Sequence, residues 1–365
     1  MSAAGAGLEI RVVSNAELRA GPVGDDTEPA LAGMTASKQA ALLANPLLGP
    51  DDEPARVVAF LEGRVVGQLD LVAGEISTPH GVVPSFWGSA FHVSADARGQ
   101  GIGGQLLRAA EELREGAGAC APSRLSYPLY LRRGYLDIPL RRHLLVRRTG
   151  PLAERWLGKG RLARAASALG DTALRGLGST RPRSSGDSQL EPCAAFPPEL
   201  EPRLPEGRAP FAMHRSAAWL DWIVRESFGD PSQRRALYLV RSGGGETVGY
   251  LLVKARVYSG VTRWQVENLH LGSLVDWQIF EPGALSFEQL VVLATGAVED
   301  WGVDAVEACV PPGEGHARFR RLGFLPLGVQ HVVVRGREGS VLATEAARDI
   351  GQWTVRPAEG DHAFS

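Results

Sequence analysis

No stretch of this 365-residue chain approaches the ~20 consecutive apolar residues that cross a bilayer. The start, MSAAGAGLEIRVVS, lacks a basic head followed by an apolar run, so no leader is expected and the chain reads as soluble and cytoplasmic. Cysteine is scarce: Cys120, Cys193 and Cys309 are odd in number and far apart. That spacing excludes a disulfide framework or a zinc site, and no metal is expected. An excess of charge of one sign is also missing, with 39 basic residues against 41 acidic. The chain therefore has no field suited to gathering nucleic acid or an anionic membrane. Its length suits two cores of roughly 100–200 residues each.

What is present is a sequence of strand and helix periods. Residues 8–13 form a short apolar strand, and 36–46 suit a helix. From Arg56 to Gly74 two β-branched runs meet at Glu62-Gly63, which predicts a hairpin with the glycine at positive φ. A third strand run, Ser85 to Val93, follows. At Gly101 the period changes, because Ile102, Leu106, Ala109 or Ala110, and Leu113 fall on one helical face.

The junction between these periods reads RGQGIGG. Glycine supplies 44 of the 365 residues, so roughly five Gly-x-Gly pairs arise by chance and a doublet alone carries no weight. The order carries more: a strand ending at Val93, Arg98, Gly101-x-Gly103-Gly104, and then an immediate amphipathic helix. A helix N-terminus offers unpaired N–H groups and a favourable dipole to a phosphate. Glycines let the backbone come close, and Arg98 adds a planar cation. A P-loop needs a closing Gly-Lys-Ser/Thr, and a dinucleotide fold needs an acidic residue about 20 positions on; neither pattern is completed here.

With these residues the chain resembles the GNAT superfamily of N-acetyltransferases, whose signature R/Q-x-x-G-x-G/A follows a strand; Arg98, Gly101 and Gly103 match it. A second element of that family, a tyrosine ahead of Gly-aromatic, resembles YPLYLRRGY at Tyr127–Tyr135. The resemblance implies that acetyl-CoA is held by Arg98, Gly99, Gln100, Gly101, Ile102, Gly103 and Gly104 at its pyrophosphate. It places Phe91 and Val93 along the pantetheine arm. Ser123 stands after Pro122 where many relatives carry Asn, and Tyr130 takes the position of the acid that protonates the departing thiolate. Relatives often place Glu or His on the strand before the turn, but SFWGSAFHV holds no carboxylate. His92 is the one side chain there of a type suited to exchanging protons near neutral pH, and alternation sets it on the face opposite Phe91 and Val93. A water chain, or an amine already neutral, is the expected route for the acceptor's proton.

The second half repeats the order without residue identity: a helix at 217–227, hairpin arms at 237–240 and 247–254, and a strand near 273–280. A helix at 287–301 and a strand at 305–310 complete it. Its turn, VDWQIFEPGALSFEQL, lacks the signature, since Pro282 has no N–H and Glu281 repels phosphate. HARFRRLGF, 316–324, still resembles the family's helix and Gly-Phe element, so this half reads as a degenerate copy. Trp219 and Trp222 read as core, and Gly243–Gly245 as a hairpin turn. Between the halves, 151–185 carries seven basic residues against two acidic and suits helices, and a Pro-rich stretch follows.

The expected fold is α/β (α+β): two GNAT-like domains, each a twisted, mixed, mostly antiparallel sheet flanked by helices. The expected division is 1–148 for the acetyl-CoA-binding domain, 149–205 for a helical and Pro-rich linker, and 206–365 for the degenerate domain and tail. The paired arrangement and QWTVRPAEGD resemble GNAT proteins associated with bacterial cell-surface glycans. The implied activity is acetyl transfer from acetyl-CoA to a primary amine of a small-molecule or glycan acceptor. A non-catalytic acyl-CoA-binding module and a longer-chain N-acyltransferase are the alternatives.

Overall fold

The structure, a computed structural model, describes residues 7–21, 36–179, 188–204, 210–225, 232–261, 267–310 and 316–358. In the first stretch of chain come β1 (Leu8–Ser14), α1 (Asn15–Ala20), α2 (Ala36–Leu43), β2 (Pro54–Leu61), β3 (Arg64–Thr78), β4 (Gly81–Val93), α3 (Ile102–Glu111), β5 (Gly116–Cys120), α4 (Tyr127–Arg132) and β6 (Leu136–Val146). Next are α5 (Gly150–Leu157), α6 (Arg161–Ser179), β7 (Gln189–Cys193), β8 (Phe211–Met213) and α7 (Ala217–Arg225). The remainder holds β9 (Gln233–Arg241), β10 (Thr247–Val261), β11 (Glu267–Ile279), α8 (Phe287–Glu299), β12 (Ala305–Val310), α9 (His316–Arg321), β13 (Leu325–Gly336), α10 (Glu345–Arg348) and β14 (Trp353–Thr354).

The chain forms two compact units. Unit 1 comprises residues 1–139, 204–229 and 331–365, and unit 2 comprises 140–203 and 230–330. In unit 1 the strands lie in the order β1-β2-β3-β4-β5-β13, and neighbours are antiparallel except β4 with β5. In unit 2 the order is β7-β9-β10-β11-β12-β6, again antiparallel except β11 with β12. Each unit is thus a mixed, mostly antiparallel sheet with flanking helices, and the repeat of order is present in both.

The compact units do not follow the sequential division at 148 and 205. Each takes its sixth strand from the other half of the chain: residues 332–336 pair with β5, and residues 141–146 pair with β12. The segment expected as a linker also contributes structure, since β7 is the edge strand beside β9. Strand pairing joins residues distant in sequence, so a composition change marks a linker without showing which strands pair across it.

Local chemistry explains the elements that position the site. The β2–β3 hairpin turns through Glu62 (φ 52°) and Gly63 (φ 79°). Both are left-handed, as a two-residue type I′ loop requires, although the expectation gave positive φ to the glycine alone. The α3 face carries Ile102, Leu106 and Leu107, each at most 1% exposed, packed with Val57, Leu69, Phe86 and Val333. Burying each of these three side chains contributes about 1.5–3 kcal/mol, which anchors the helix start. On the other side of unit 1 a smaller cluster gathers Val13, Leu18, Ala55, Val58 and Val65. Trp219 and Trp222 are buried, and Trp222 Nε1 donates to the Ala41 carbonyl at 2.8 Å, so both belong to the core. Gly245 at φ 83° closes the β9–β10 turn. In unit 2 the core lies between α8, α9 and the sheet. Among the described residues no helix is long and apolar enough to cross a membrane.

Candidate functional site

Two neighbouring parallel strands that separate leave a gap, and unit 1 has one between β4 and β5. They are in register only at Ser85–Gly116, Phe86–Ala117 and Trp87–Gly118. Beyond Trp87, β4 continues to Val93 without a partner on that side among the described residues. Packing fixes where the pairing stops: a Cβ at Gly118 would stand 2.8 Å from Trp87 Cζ3 and 3.0 Å from the Val333 carbonyl oxygen. The indole takes that space instead.

β4 is not regular past this point. Asp70 pairs with Ser89 and Gln68 with His92, so two residues, Ala90 and Phe91, stand opposite Leu69 alone. Ala90 adopts φ 47°, the mark of a bulge. The bulge shifts the alternation, so Phe91 and Val93 pack on the cluster that also holds Phe86. His92, across from Gln68, has a buried Nε2 with no hydrogen-bond partner among the described residues.

The glycine turn follows directly. Residues Ala95–Ala97 make a short 3₁₀ turn, Gly99 (φ 83°) and Gly101 (φ 80°) are left-handed, and α3 begins at Ile102. The amides of Arg98, Gly99, Gln100, Gly101, Ile102 and Gly103 donate to no protein group among the described residues; pairing resumes at Gly104, which donates to the Gly101 carbonyl. Six successive free N–H groups at a helix start form a concave donor set for an anion. Asp96 would oppose an anion there, but Arg64 pairs with it and holds its carboxyl down to about 2.

The glycines and the arginine do different work from one another. Gly101 is required by its positive φ. Gly103 is a packing residue, because a Cβ there would lie 3.1 Å from Leu129 Cδ1 and 3.3 Å from Phe91 Cζ. Gly104 faces open space, with nothing within 4 Å of a Cβ. Gly99 and Gly101 are likewise open, with nothing within 4 Å of a Cβ, so of the turn's glycines Gly103 alone is held by packing. Arg98 Nε donates to the Val93 carbonyl at 3.0 Å and closes the turn. Gln100 is exposed, its side chain 3.5 Å from the Asp96 carbonyl.

Tyr130 is 2% exposed in the α3-side core, edge-on to Tyr135 (4.9 Å between centroids) and Phe91 (6.1 Å). An added Cβ at Gly88, where β4 leaves β5, would lie 3.1 Å from Tyr130 Oη. The phenol thus stands at the base of the gap. A cavity of about 10 Å³ lined by Leu69, Phe86, Gly118 and Tyr130 lies there. Ser123 serves α4: its Oγ accepts from the Ser126 amide at 3.1 Å, and its carbonyl accepts from the Tyr127 amide. A group that sequence reasoning missed is Tyr127, Asp137 and His331. Tyr127 was visible three residues before Tyr130, but His331 lies about 200 positions away and nothing local points to it.

Unit 2 has the same scaffold with a different helix start. β11 and β12 are in register at 271–274 and 305–308, and Val275 bulges where Leu252 pairs with Asp276 and Val253 with Leu274. At α8, Ser286 Oγ accepts from the Gln289 amide, and Gln289 Oε1 accepts from the Ser286 amide at 2.8 Å. The Ala284 and Leu285 amides donate to the Glu281 carbonyl. This capping box spends donors that α3 leaves free.

The description "Acetyltransferase (GNAT) domain" matches residues 54–136. No curated protein matches the chain at a significant level. Among solved structures the chain is similar to a probable N-acyltransferase from Enterococcus faecalis V583, with TM-score 0.55, 13% identity, and 91% of this chain and 73% of that one covered. It is similar to a GCN5-related N-acetyltransferase from Anabaena variabilis at TM-score 0.55 and 14% identity, over 91% and 73% of the two chains. It is also similar to Saccharomyces cerevisiae N-myristoyltransferase with bound myristoyl-CoA, at TM-score 0.55 and 13% identity, over 90% and 82%. At such identities the likeness is one of fold.

Proposed function

We propose that this chain, whose residues 54–136 form a GNAT acetyltransferase domain, transfers an acetyl group from acetyl-CoA to a primary amine of a small-molecule or sugar-borne acceptor. The observation that carries the reading is the run of six free amides from Arg98 to Gly103, set at the mouth of the β4–β5 gap. The donor's pyrophosphate takes these N–H groups, with Gly104 leaving room for it. The pantetheine arm runs along the unpaired edge of β4 at Phe91 and Val93. The thioester then lies toward Tyr130, and the amine attacks its carbonyl carbon directly. As the C–S bond breaks, the Tyr130 phenol gives its proton to sulfur. Ser123 acts on the donor through α4, whose first turn it ties.

A longer acyl donor is the second reading, because the yeast fold relative binds myristoyl-CoA. Calorimetric titration with acetyl-, succinyl- and myristoyl-CoA distinguishes them; preference for the long chain removes acetyl. Thiol release from labelled acetyl-CoA across an amine library tests the reaction. Binding with no thiol released by any amine leaves a non-catalytic acyl-CoA-binding module.

A further inference from the structure

Unit 1 holds a cluster of titratable side chains that the reading above does not use. Tyr127 Oη donates to Asp137 Oδ2 at 2.8 Å. His331 Nδ1 lies 2.9 Å from Asp137 Oδ1 and 3.1 Å from Oδ2, and the Tyr127 and His331 rings are 4.3 Å apart between centroids. A carboxylate only accepts, so Nδ1 carries the hydrogen, and in the neutral ring Nε2 holds the lone pair. Burial and the bond to Asp137 push the Tyr127 phenol up to about 12, so it stays a donor. Nε2 has no hydrogen-bond partner among the described residues, and the His331 side chain is 36% exposed. An imidazole fixed through Nδ1 by a carboxylate, with Nε2 open, is a proton acceptor in working order.

Its position matters as much. The Ala121 amide donates to the His331 carbonyl at 2.8 Å, which sets the histidine at the carboxyl end of β5. β4 and β5 are parallel, so both end at this edge, and α3 and α4 both start from it. Tyr127 opens α4, and Tyr130 lies one turn further along the same helix. In an open parallel pair a ligand sits outside the carboxyl ends of the strands.

We infer that His331 removes the proton from the acceptor amine, with Asp137 and Tyr127 as positioning residues; this rests on the acetyl-transfer reading. An ammonium proton passes to Nε2, and the freed nitrogen lone pair forms the C–N bond at the thioester carbon. The C–S bond breaks, sulfur keeps its electron pair and takes the Tyr130 proton, and the new amide nitrogen, which still carries two hydrogens, gives one of them to water. The imidazolium and phenolate then exchange protons with water, which restores both. The base so assigned comes from the second half of the sequence, where no signal near the glycine turn could reveal it.

The test uses the full chain. Diethylpyrocarbonate modification is followed by peptide mass spectrometry, with and without saturating coenzyme A whose binding is checked by calorimetry. His331 should react, and bound coenzyme A should slow it at least tenfold while exposed His80 is unaffected. His331→Gln should keep coenzyme A affinity within twofold and lower thiol release from acetyl-CoA at least 100-fold in kcat, with KM for acetyl-CoA unchanged. Asp137→Asn and Tyr127→Phe should lower kcat by smaller factors, again without moving KM. Coenzyme A that binds but does not shield His331, or a His331→Gln variant at full rate, overturns the assignment alone. If wild type binds coenzyme A yet no acceptor releases thiol, the transfer reading fails and this one with it. If coenzyme A does not bind, the donor site itself is wrong.

Discussion

Replacing Gly104 with glutamate should separate fold from cofactor capture. Gly104 is the third residue of α3, and nothing lies within 4 Å of a Cβ built there. Leaving glycine in a helix contributes about 0.5–1 kcal/mol of stability, and a carboxylate in the first turn about 0.3–1 kcal/mol more. Glutamate at this position also reaches back to the N-cap amide, here that of Gly101, as Gln289 already does to Ser286 at α8. One donor is thereby withdrawn, and a negative charge enters the anion site. At roughly 5 Å and an effective dielectric of about 20, repulsion is about 3 kcal/mol per phosphate charge before salt screening. Coenzyme A affinity should therefore fall on the order of 100-fold, while urea unfolding shows equal or higher stability. Gly104→Gln withdraws the donor without the charge and should lose several-fold. Affinities would be measured by calorimetry at low and high salt, the glutamate loss shrinking at high salt. A stable Gly104→Glu protein that binds coenzyme A within threefold of wild type refutes the site.

Gly118→Ala should destabilise by about 1–3 kcal/mol or more, because its methyl meets Trp87 at 2.8 Å and the Val333 carbonyl oxygen at 3.0 Å; thermal unfolding measures it. Tyr130→Phe keeps the ring contacts and removes the acid, so thiol release should fall at least tenfold while coenzyme A affinity stays within twofold. Absorbance at 295 nm should show Tyr127 ionising near 12, and Asp137→Asn should move that step down toward 10. The sign follows from its raised folded value: whatever stability this phenol contributes is present below pH 10 and is lost as pH rises through 12. A chain ending at residue 148 should lack a cooperative unfolding transition, which circular dichroism on heating will show.

The glycine turn was legible because its signals are local: a strand period, positive-φ glycines and a helical face lie within 20 residues. The same locality explains what a string of residues does not show. Nothing in SFWGSAFHV marks Ala90 as left-handed, so the bulge and its shift of Phe91 and Val93 came from pairing with β3. Gly103 and Gly104 look alike in a string, yet one is held by Leu129 and Phe91 and the other is open. The bond from Arg98 Nε to the Val93 carbonyl is likewise not announced by the string. That the second half's turn suits a phosphate poorly is readable from Pro282 and Glu281. The stronger cause, the Ser286–Gln289 capping box, fits a pattern that sequence contains but composition does not emphasise.

The exchanged strands make unit 1 depend on the second half of the chain. Val332, Val333 and Val334 are 0, 0 and 2% exposed, and they pair with Cys120, Ala119 and Gly118. Burial of three such side chains contributes about 5–9 kcal/mol, against about 5–15 kcal/mol for the whole stability of a domain. Unit 1 without them would keep little margin and would expose the edge of β5, whose GAGAC sequence offers almost no side chain to protect it. Nothing in the run HVVVRG names its partner, because pairing across 200 residues leaves no local mark. Removing these strand contacts would therefore cost unit 1 most of its margin, whatever the helix start of unit 2 binds.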